Sequence, residues 1–574
     1  MALAKKVLAG ALVSGLVALF SGVGESVPAA VELLGVLALV AGAVFVRARL
    51  ARPLAPSGLE TSLVTLGMLA FGAAVILGGH AGQLVPSPMR LGLVRLLAVM
   101  AAASLGLALL APRLFREKTR AFEEDGPTPR PGFDAAFVLA AGFALHAFVF
   151  FSYPPLVGFD TFANLMEPRF LQYSPGQTYH HPPLYGEIIT ALGGRGSSSL
   201  VLGFTGLVLL QHALVLGLAL AVQHMAKTVT RSGTAGLVAG LATALDPQLT
   251  LYSQAILTEA LAIVALGLAL AFLFEATRRR PADAWLLGAG LAAAASTLIR
   301  QVSELWCGVA ALWLFAGGLV LPRTRSTGIF LAGALAPILL VVGHNGVFTE
   351  RPVLTSATGR NLLYRAVEDM PPLTDPDAPP GDPVEKARRL VWDNRATAWL
   401  GPYRALRAEG LSDAEVDRLL TRFYFEQARK HPWIFVTVTI RYVWVMLSVP
   451  ETYAAVAANH NATLSNEAAS SWRDLPRAGD TPRLVAALEA VEVPARLVVL
   501  ALALAAPLVA RGRARSLALL ALATAFYYLV MAALTNQPIL RYRLPAVPVL
   551  ALGAGIALAR LEAAVRRLTP GGNP

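Results

Sequence analysis

The sequence predicts an all-α, polytopic membrane bundle of about fourteen spans with a helical insertion on the extracytoplasmic side, and three observations predict it. Of 574 residues, 56% are hydrophobic and only 15% charged, against about 25% charged in an ordinary soluble domain. Apolar runs near the ~20 residues that cross a bilayer recur along the whole chain. The segments between them hold most of the charge, and their Lys and Arg fall on alternate sides.

Five spans are expected at 7–23, 29–46, 61–79, 91–110 and 135–151. The first follows Lys5 and Lys6 and resembles a signal segment, but a second apolar run follows closely without a small-residue cleavage site, so it is read as a membrane helix. Lys5, Lys6, Arg47, Arg49, Arg52, Arg113, Arg116, Lys118 and Arg120 place the N-terminus in the cytoplasm; Arg90 and Arg95 fall against the rule. Six further spans are expected at 200–222, 234–251, 255–274, 284–299, 302–321 and 328–342. With these, Lys227, Arg231, Arg278, Arg279, Arg280, Arg323 and Arg325 lie inside.

Residues 347–432 are then an outer insertion, with a Pro/Asp-rich loop over 371–383 and helix after it. Ser412 and Glu415 form a capping box, Val416, Leu419, Leu420 and Phe423 repeat on one face, and Pro432 ends the pattern. Apolar segments at 433–449, 497–510, 517–534 and 544–558 complete the chain. Counting all four as spans puts Arg511, Arg513 and Arg515 outside. If 433–449, with Arg441 at its middle, only lies on or dips into the outer face, the charge rule is obeyed and both termini are cytoplasmic. The organisation expected is a four-span unit over 1–130, a membrane core over 131–346 with a first outer loop at 154–198, the insertion, and C-terminal membrane helices over 433–574.

The net charge of +12 does not point to nucleic acid, because the basic residues flank apolar runs, where they set orientation and meet anionic headgroups. The single cysteine, Cys307, excludes an intrachain disulfide and a thiolate metal cluster, and is read as a small core hydrophobe.

Polar groups at membrane depth are costly and mark function by default. On the outer side the sequence gathers Asp160, Thr161, Glu167 and Arg169, the run Tyr179-His180-His181-Pro182-Pro183-Leu184-Tyr185, then Asp246-Pro247, Glu259, Arg300, Gln301 and Glu304, His344-Asn345, and Arg541-Tyr542-Arg543-Leu544-Pro545. Plain structural roles stay open beside the functional ones. Asp160 and Asp246 are placed to cap or turn, His180 and His181 to pack a loop, and Arg541 and Arg543 to anchor a helix end to headgroups.

An acid after a membrane span, a His-Pro-Pro-Leu-Tyr turn some twenty residues on, a Thr-Glu at an outer helix end and a late Arg-Tyr-Arg-Leu-Pro together resemble the GT-C fold glycosyltransferases. Within them they look most like family 39, the bacterial relatives of protein O-mannosyltransferases, to which aminoarabinose transferases are related. The resemblance runs from Ala135 to the C-terminus. It implies an enzyme of the cell membrane with a polyprenyl-phosphate sugar donor, an acceptor that is lipid, glycan or protein, an extracytoplasmic site, and a divalent cation in some members and none in others. It further implies Asp160 as the catalytic acid of the first loop, with His180, His181, Glu259, Arg300, Arg541 and Arg543 binding substrate. Two departures bear on it: His181 stands where aminoarabinose transferases have Lys, and Thr161 follows Asp160 where many relatives have Glu.

The chemistry of the residues agrees with that reading. Attack on an anomeric carbon needs a carboxylate to take the acceptor's proton, and a phosphate leaving group needs cations more than a proton donor. Arginine supplies such a cation in bidentate form. Of Arg541 and Arg543, Arg543 is the one expected to face the cavity. Two readings of other classes remain beside it, a lipid-linked sugar transporter or flippase and a non-catalytic membrane assembly subunit. Against the first, no inverted repeat is visible and the acids lie at span ends.

Overall fold

The computed structural model describes residues 132–152, 156, 182–191, 200–279, 281–317, 322–349, 352–355, 358–367, 370–374, 379, 381–395, 400–449, 483–535 and 540–568. The four N-terminal spans, Asp160, His180 and His181 lie outside the described residues. The chain divides into two compact units, Met1–Ala144 with Ile189–Leu210, and Leu145–Ile188 with Gln211–Pro574. Of the first, the described part is helical: the start of α1 (Gly132–Ser152), the last residues of α2 (Pro183–Ala191) and the start of α3 (Leu200–Thr230).

The second unit continues through α4 (Gly233–Ala244), α5 (Pro247–Ser253), α6 (Glu259–Ala276) and α7 (Asp283–Ile299). A 3-10 turn, Gln301–Ser303, then leads into α8 (Trp306–Gly317) and α9 (Arg323–Thr349). The insertion comprises α10 (Thr358–Val367), α11 (Pro383–Asp393), α12 (Leu400–Ala408) and α13 (Asp413–Lys430). After it come α14 (Pro432–Ser448), α15 (Arg483–Val509), α16 (Gly512–Thr535), a second 3-10 turn, Leu540–Arg543, and α17 (Ala546–Leu568).

Among the described residues, six helices are long and apolar enough to cross a membrane: α3 over Gly206–Thr230, α6, α9 over Arg323–Val347, α15 over Val491–Val509, α16 and α17 over Ala546–Val565. Five apolar helices are shorter, among them α4, α7 and α14. Large apolar side chains stand exposed on the longer ones, including Leu340, Leu508 and Phe526. Such a surface is suited to lipid and not to water.

Local sequence explains where the helices stop. The apolar run expected as one span at 234–251 is two helices, because Asp246 accepts from the Leu249 amide at 2.8 Å and Pro247 takes the first helical position of α5. An N-cap followed by proline starts a helix and so ends the previous one. The Ser412–Glu415 capping box closes in both directions at the start of α13. Val416, Leu420 and Phe423 turn inward to a core of the insertion's own, shared with Leu363, Val391 and Leu406.

Polar contacts define two ends of the second unit. At one, Glu275 takes Arg278, Arg279 and His224 at 3.0, 2.5 and 3.2 Å, Arg325 meets Asp283 at 2.6 Å, and Ser232 donates to Glu562 at 3.1 Å. At the other, Tyr424 of the insertion donates to the Leu534 carbonyl at the close of α16, and Gln301 bonds Thr355 and Thr358. Lys227, Arg231, Arg278, Arg279, Arg323 and Arg325 border helix termini at the first end.

α14 does not run between those ends. Arg365 of α10 donates to the Phe435 carbonyl near its start, and Arg543 donates to Met446 and Val449 at its close, each within 2.7 Å. Both anchors belong to the insertion end, so α14 lies across it. α15 therefore begins at that end, with Glu492 bonded to Arg543, and brings Arg511, Arg513 and Arg515 to the basic end.

One close helix crossing is between α7 and α9. A Cβ on Gly290 would lie 2.2 Å from the Phe330 carbonyl oxygen and 2.8 Å from the Ala334 nitrogen. Backbone atoms cannot yield as a side chain does, so Gly290→Val is expected to cost at least about 1–3 kcal/mol. A thermal midpoint in detergent unchanged from wild type would contradict this packing.

Candidate functional site

The site forms where three chain segments meet at the insertion end. α6 starts at Glu259, whose carboxylate is buried at the helix N-terminus, where the backbone amides favour negative charge. Arg300 closes α7 in an extended conformation, which turns its side chain back over the start of α6. Its Nη1 lies 2.6 Å from Glu259 Oε1 and donates to Thr258 Oγ1 at 3.1 Å. Arg541, from the second 3-10 turn, places Nε 3.2 Å from the same carboxylate oxygen. Two guanidinium groups thus share one carboxylate, and the cluster keeps one positive charge in excess.

Tyr542 lies beneath both cations. The Arg300 guanidinium carbon is 4.8 Å from its ring centroid and that of Arg541 is 5.6 Å away, within the range of cation–π attraction. These groups line a small cleft together with the apolar side chains of Ala262, Ile263, Leu266 and Val302.

A hydrogen-bond frame holds the turn between α7 and α8 in place. Ser296 bonds the Ala262 carbonyl and Ser303, and Tyr528 donates to Ser303, all at 2.9 Å. Tyr527 donates to the Val302 carbonyl at 2.6 Å and accepts from the Leu305 amide at 3.1 Å. Gln301, next to Arg300, accepts from Thr355 at 2.8 Å and donates to Thr358 at 3.0 Å, so the insertion is tied to the turn that carries the cation.

The His-Pro-Pro-Leu-Tyr run reaches this place through its last residue. Tyr185 is fully buried in α2, and burial together with the nearby Glu259 charge holds its phenol well above the usual range, as a neutral donor. Its hydroxyl makes no hydrogen bond among the described residues. Leu156 marks the start of the first loop. It accepts from the Ile256 amide and donates to the Gln254 carbonyl, each at 2.9 Å. Asp160 follows four residues on, within about 14 Å of chain reach. Gln211, bonded to the Ser253 and Ala255 carbonyls, and the His146–His212–Gln254 chain steady the segment that Leu156 pairs with.

Of the expected binding residues, Glu259, Arg300 and Arg541 come together. Arg543 does not join them. It is 2% exposed, and its guanidinium bonds Gln248 Oε1, Glu492 Oε1 and the Met446 and Val449 carbonyls at 2.6–2.7 Å. The expected orientation is thus reversed: in a 3-10 turn of three residues per turn, residues two apart point about 120° apart, and Arg541 is the one in the cleft. Asp246 caps α5, and Cys307 is buried as a small core side chain. Among the described residues no three His, Cys, Asp or Glu side chains gather to hold a metal ion. Sequence reading quoted Tyr185 and Tyr542 within their motifs without giving them a role. Each stands beside the charged or histidine residues of its own motif.

No family model and no curated protein matches the chain. Among solved structures it is similar to the oligosaccharyltransferase of Archaeoglobus fulgidus in its apo form, at TM-score 0.40 and 13% identity, over 77% of this chain and 52% of that one. The archaeal oligosaccharyltransferase AglB from Archaeoglobus fulgidus, in complex with an inhibitory peptide and a dolichol-phosphate, gives TM-score 0.38 and 12% identity over the same shares. The chain spans about half the length of these structures.

The two late arginines should separate in a stability measurement. Arg543→Ala leaves Glu492 buried with Arg496 alone and removes the bonds to the Met446 and Val449 carbonyls, of which Val449 keeps a long contact from Arg496, a loss of about 3–5 kcal/mol. Arg541→Ala leaves Glu259 its contact to Arg300 and should lower the thermal midpoint far less. Equal losses would overturn this division of roles.

Proposed function

We propose that the protein is a membrane glycosyltransferase that moves a sugar from a polyprenyl-phosphate carrier to an acceptor at the extracytoplasmic face. The observation that carries this reading is the Arg300–Glu259–Arg541 cluster: two cations over one carboxylate, lining a small cleft together with apolar side chains. A carboxylate shared in this way orients both guanidinium groups, and a guanidinium fork matches a phosphate.

In the reaction, the acceptor's nucleophilic oxygen or nitrogen attacks the anomeric carbon and the bond from that carbon to the phosphate oxygen breaks. Asp160 takes the acceptor's proton. The electron pair of the broken bond stays on the phosphate, where Arg300 and Arg541 hold the growing charge. His180 and His181 bind substrate from the first loop, and Glu259 positions the arginines. Arg543 is reassigned from the donor to the frame that carries Arg541. A transporter would place its charges near mid-depth on broken helices, whereas this cluster sits at a helix start.

The insertion end is assigned to the extracytoplasmic side, because Lys and Arg crowd the other end. Cysteines introduced at 375–378 should be labelled from outside the cell and one at Arg279 only from inside. The reverse pattern would overturn both orientation and mechanism.

Transfer itself is tested with a polyprenyl-phosphate sugar in proteoliposomes. Asp160→Asn should insert and purify as wild type yet lose at least about 100-fold in turnover, the lower end for loss of a general base. Near-normal turnover would remove Asp160 from the mechanism.

A further inference from the structure

α14 carries two faces of opposite fate. Phe435, Val438, Tyr442 and Met446 are buried. On the other side Trp433, Val436, Ile440 and Trp444 repeat at helical spacing, with Trp433 80% exposed, Ile440 64% and Trp444 58%. An apolar stripe of this size, interrupted only by Thr437, whose hydroxyl bonds the Trp433 carbonyl, is not left to water. Because Arg365 holds one end of the helix and Arg543 the other at the same end of the bundle, the stripe runs across that end and not through the bilayer.

We propose that this stripe lies in the plane of the membrane, at the boundary between headgroups and acyl chains of the leaflet on the insertion side, and that lipid is its occupant. Three observations favour lipid over protein. α14 packs against α16, which itself exposes the large apolar Phe526, so both helices present apolar side chains outward. Tryptophan at both ends is the side chain that settles at headgroup depth. Arg429, Lys430 and Arg441 stand exposed beside the stripe, placed to meet lipid phosphates.

The placement has a mechanical consequence. The last carbonyls of α14 are bonded by Arg543, and the same short turn carries Arg541 into the cleft. Lipid that fixes the depth of α14 thereby fixes the depth of the Arg541–Glu259 cluster, at the level of a lipid phosphate. The inference stands whether or not the protein transfers a sugar.

The test uses the full chain in lipid nanodiscs with Cys307→Ala. Spin labels are placed singly through Trp433→Cys, Ile440→Cys and Trp444→Cys, and depth is read from the balance of oxygen and water-soluble nickel accessibility. All three should report one shallow depth, within about 5 Å of each other. A helix that crosses would spread 433 and 444 over about 16 Å, at 1.5 Å per residue, and that gradient would overturn the proposal. High nickel accessibility at all three would overturn it in favour of water, and spin–spin broadening between copies in favour of a second chain. As a measurement that keeps the native stripe, lipids brominated near the headgroup should quench wild-type tryptophan fluorescence more than a Trp433→Phe/Trp444→Phe variant, and equal quenching would count against lipid contact.

Discussion

The carboxylate of Glu259 is the interaction on which the rest of the site depends. A charge buried at the end of an apolar helix is tolerated only with partners of opposite sign. Its partners come from the end of α7 and from a turn nearly three hundred residues later. One oxygen therefore joins α6, α7 and the entry to α17. The same pairing leaves the two guanidinium groups side by side above one aromatic ring, an arrangement that cations alone would resist. Neutralising the acid would cost more than one contact: the arginines would repel, and the cleft would lose the group that aims them.

A second ionic centre, on Glu492, does a different task with the same chemistry. Arg543 spends every direction of its fork on Glu492, Gln248 and two carbonyls of α14. It has nothing left for a ligand. Arg365 serves in a similar manner under the insertion, bonding the Phe435 carbonyl and lying 4.4 Å from the Phe435 ring centroid. Arginine suits both duties because its planar fork binds carbonyls and carboxylates at fixed angles.

The insertion bears on the site through few contacts, but they are well placed. Gln301 follows Arg300 directly and is held from both sides by Thr355 and Thr358. Tyr424 fastens the insertion to the end of α16, and the next structured turn carries Arg541. Both cations of the cleft are thus supported from the same cap. A shift of the insertion would be felt at Arg300 and Arg541 together.

Much of this was legible in one dimension. Apolar run length, the alternation of basic segments, the Ser412–Glu415 cap and the stop at Pro432 are local properties, and each local choice agreed with the helices that formed. The charge rule favoured a segment 433–449 that lies on or dips into the outer face, and left open whether it crosses. The candidate residues were named because charge beside apolar runs is expensive, and Glu259, Arg300 and Arg541 meet for that reason. Sequence alone did not decide the rotation of the turn that points Arg541 into the cleft and Arg543 away, the break at Asp246, or the approach of Tyr185 to Glu259. These depend on which surface a distant segment offers. A motif specifies which groups must be neutralised, and only tertiary packing decides by which partner.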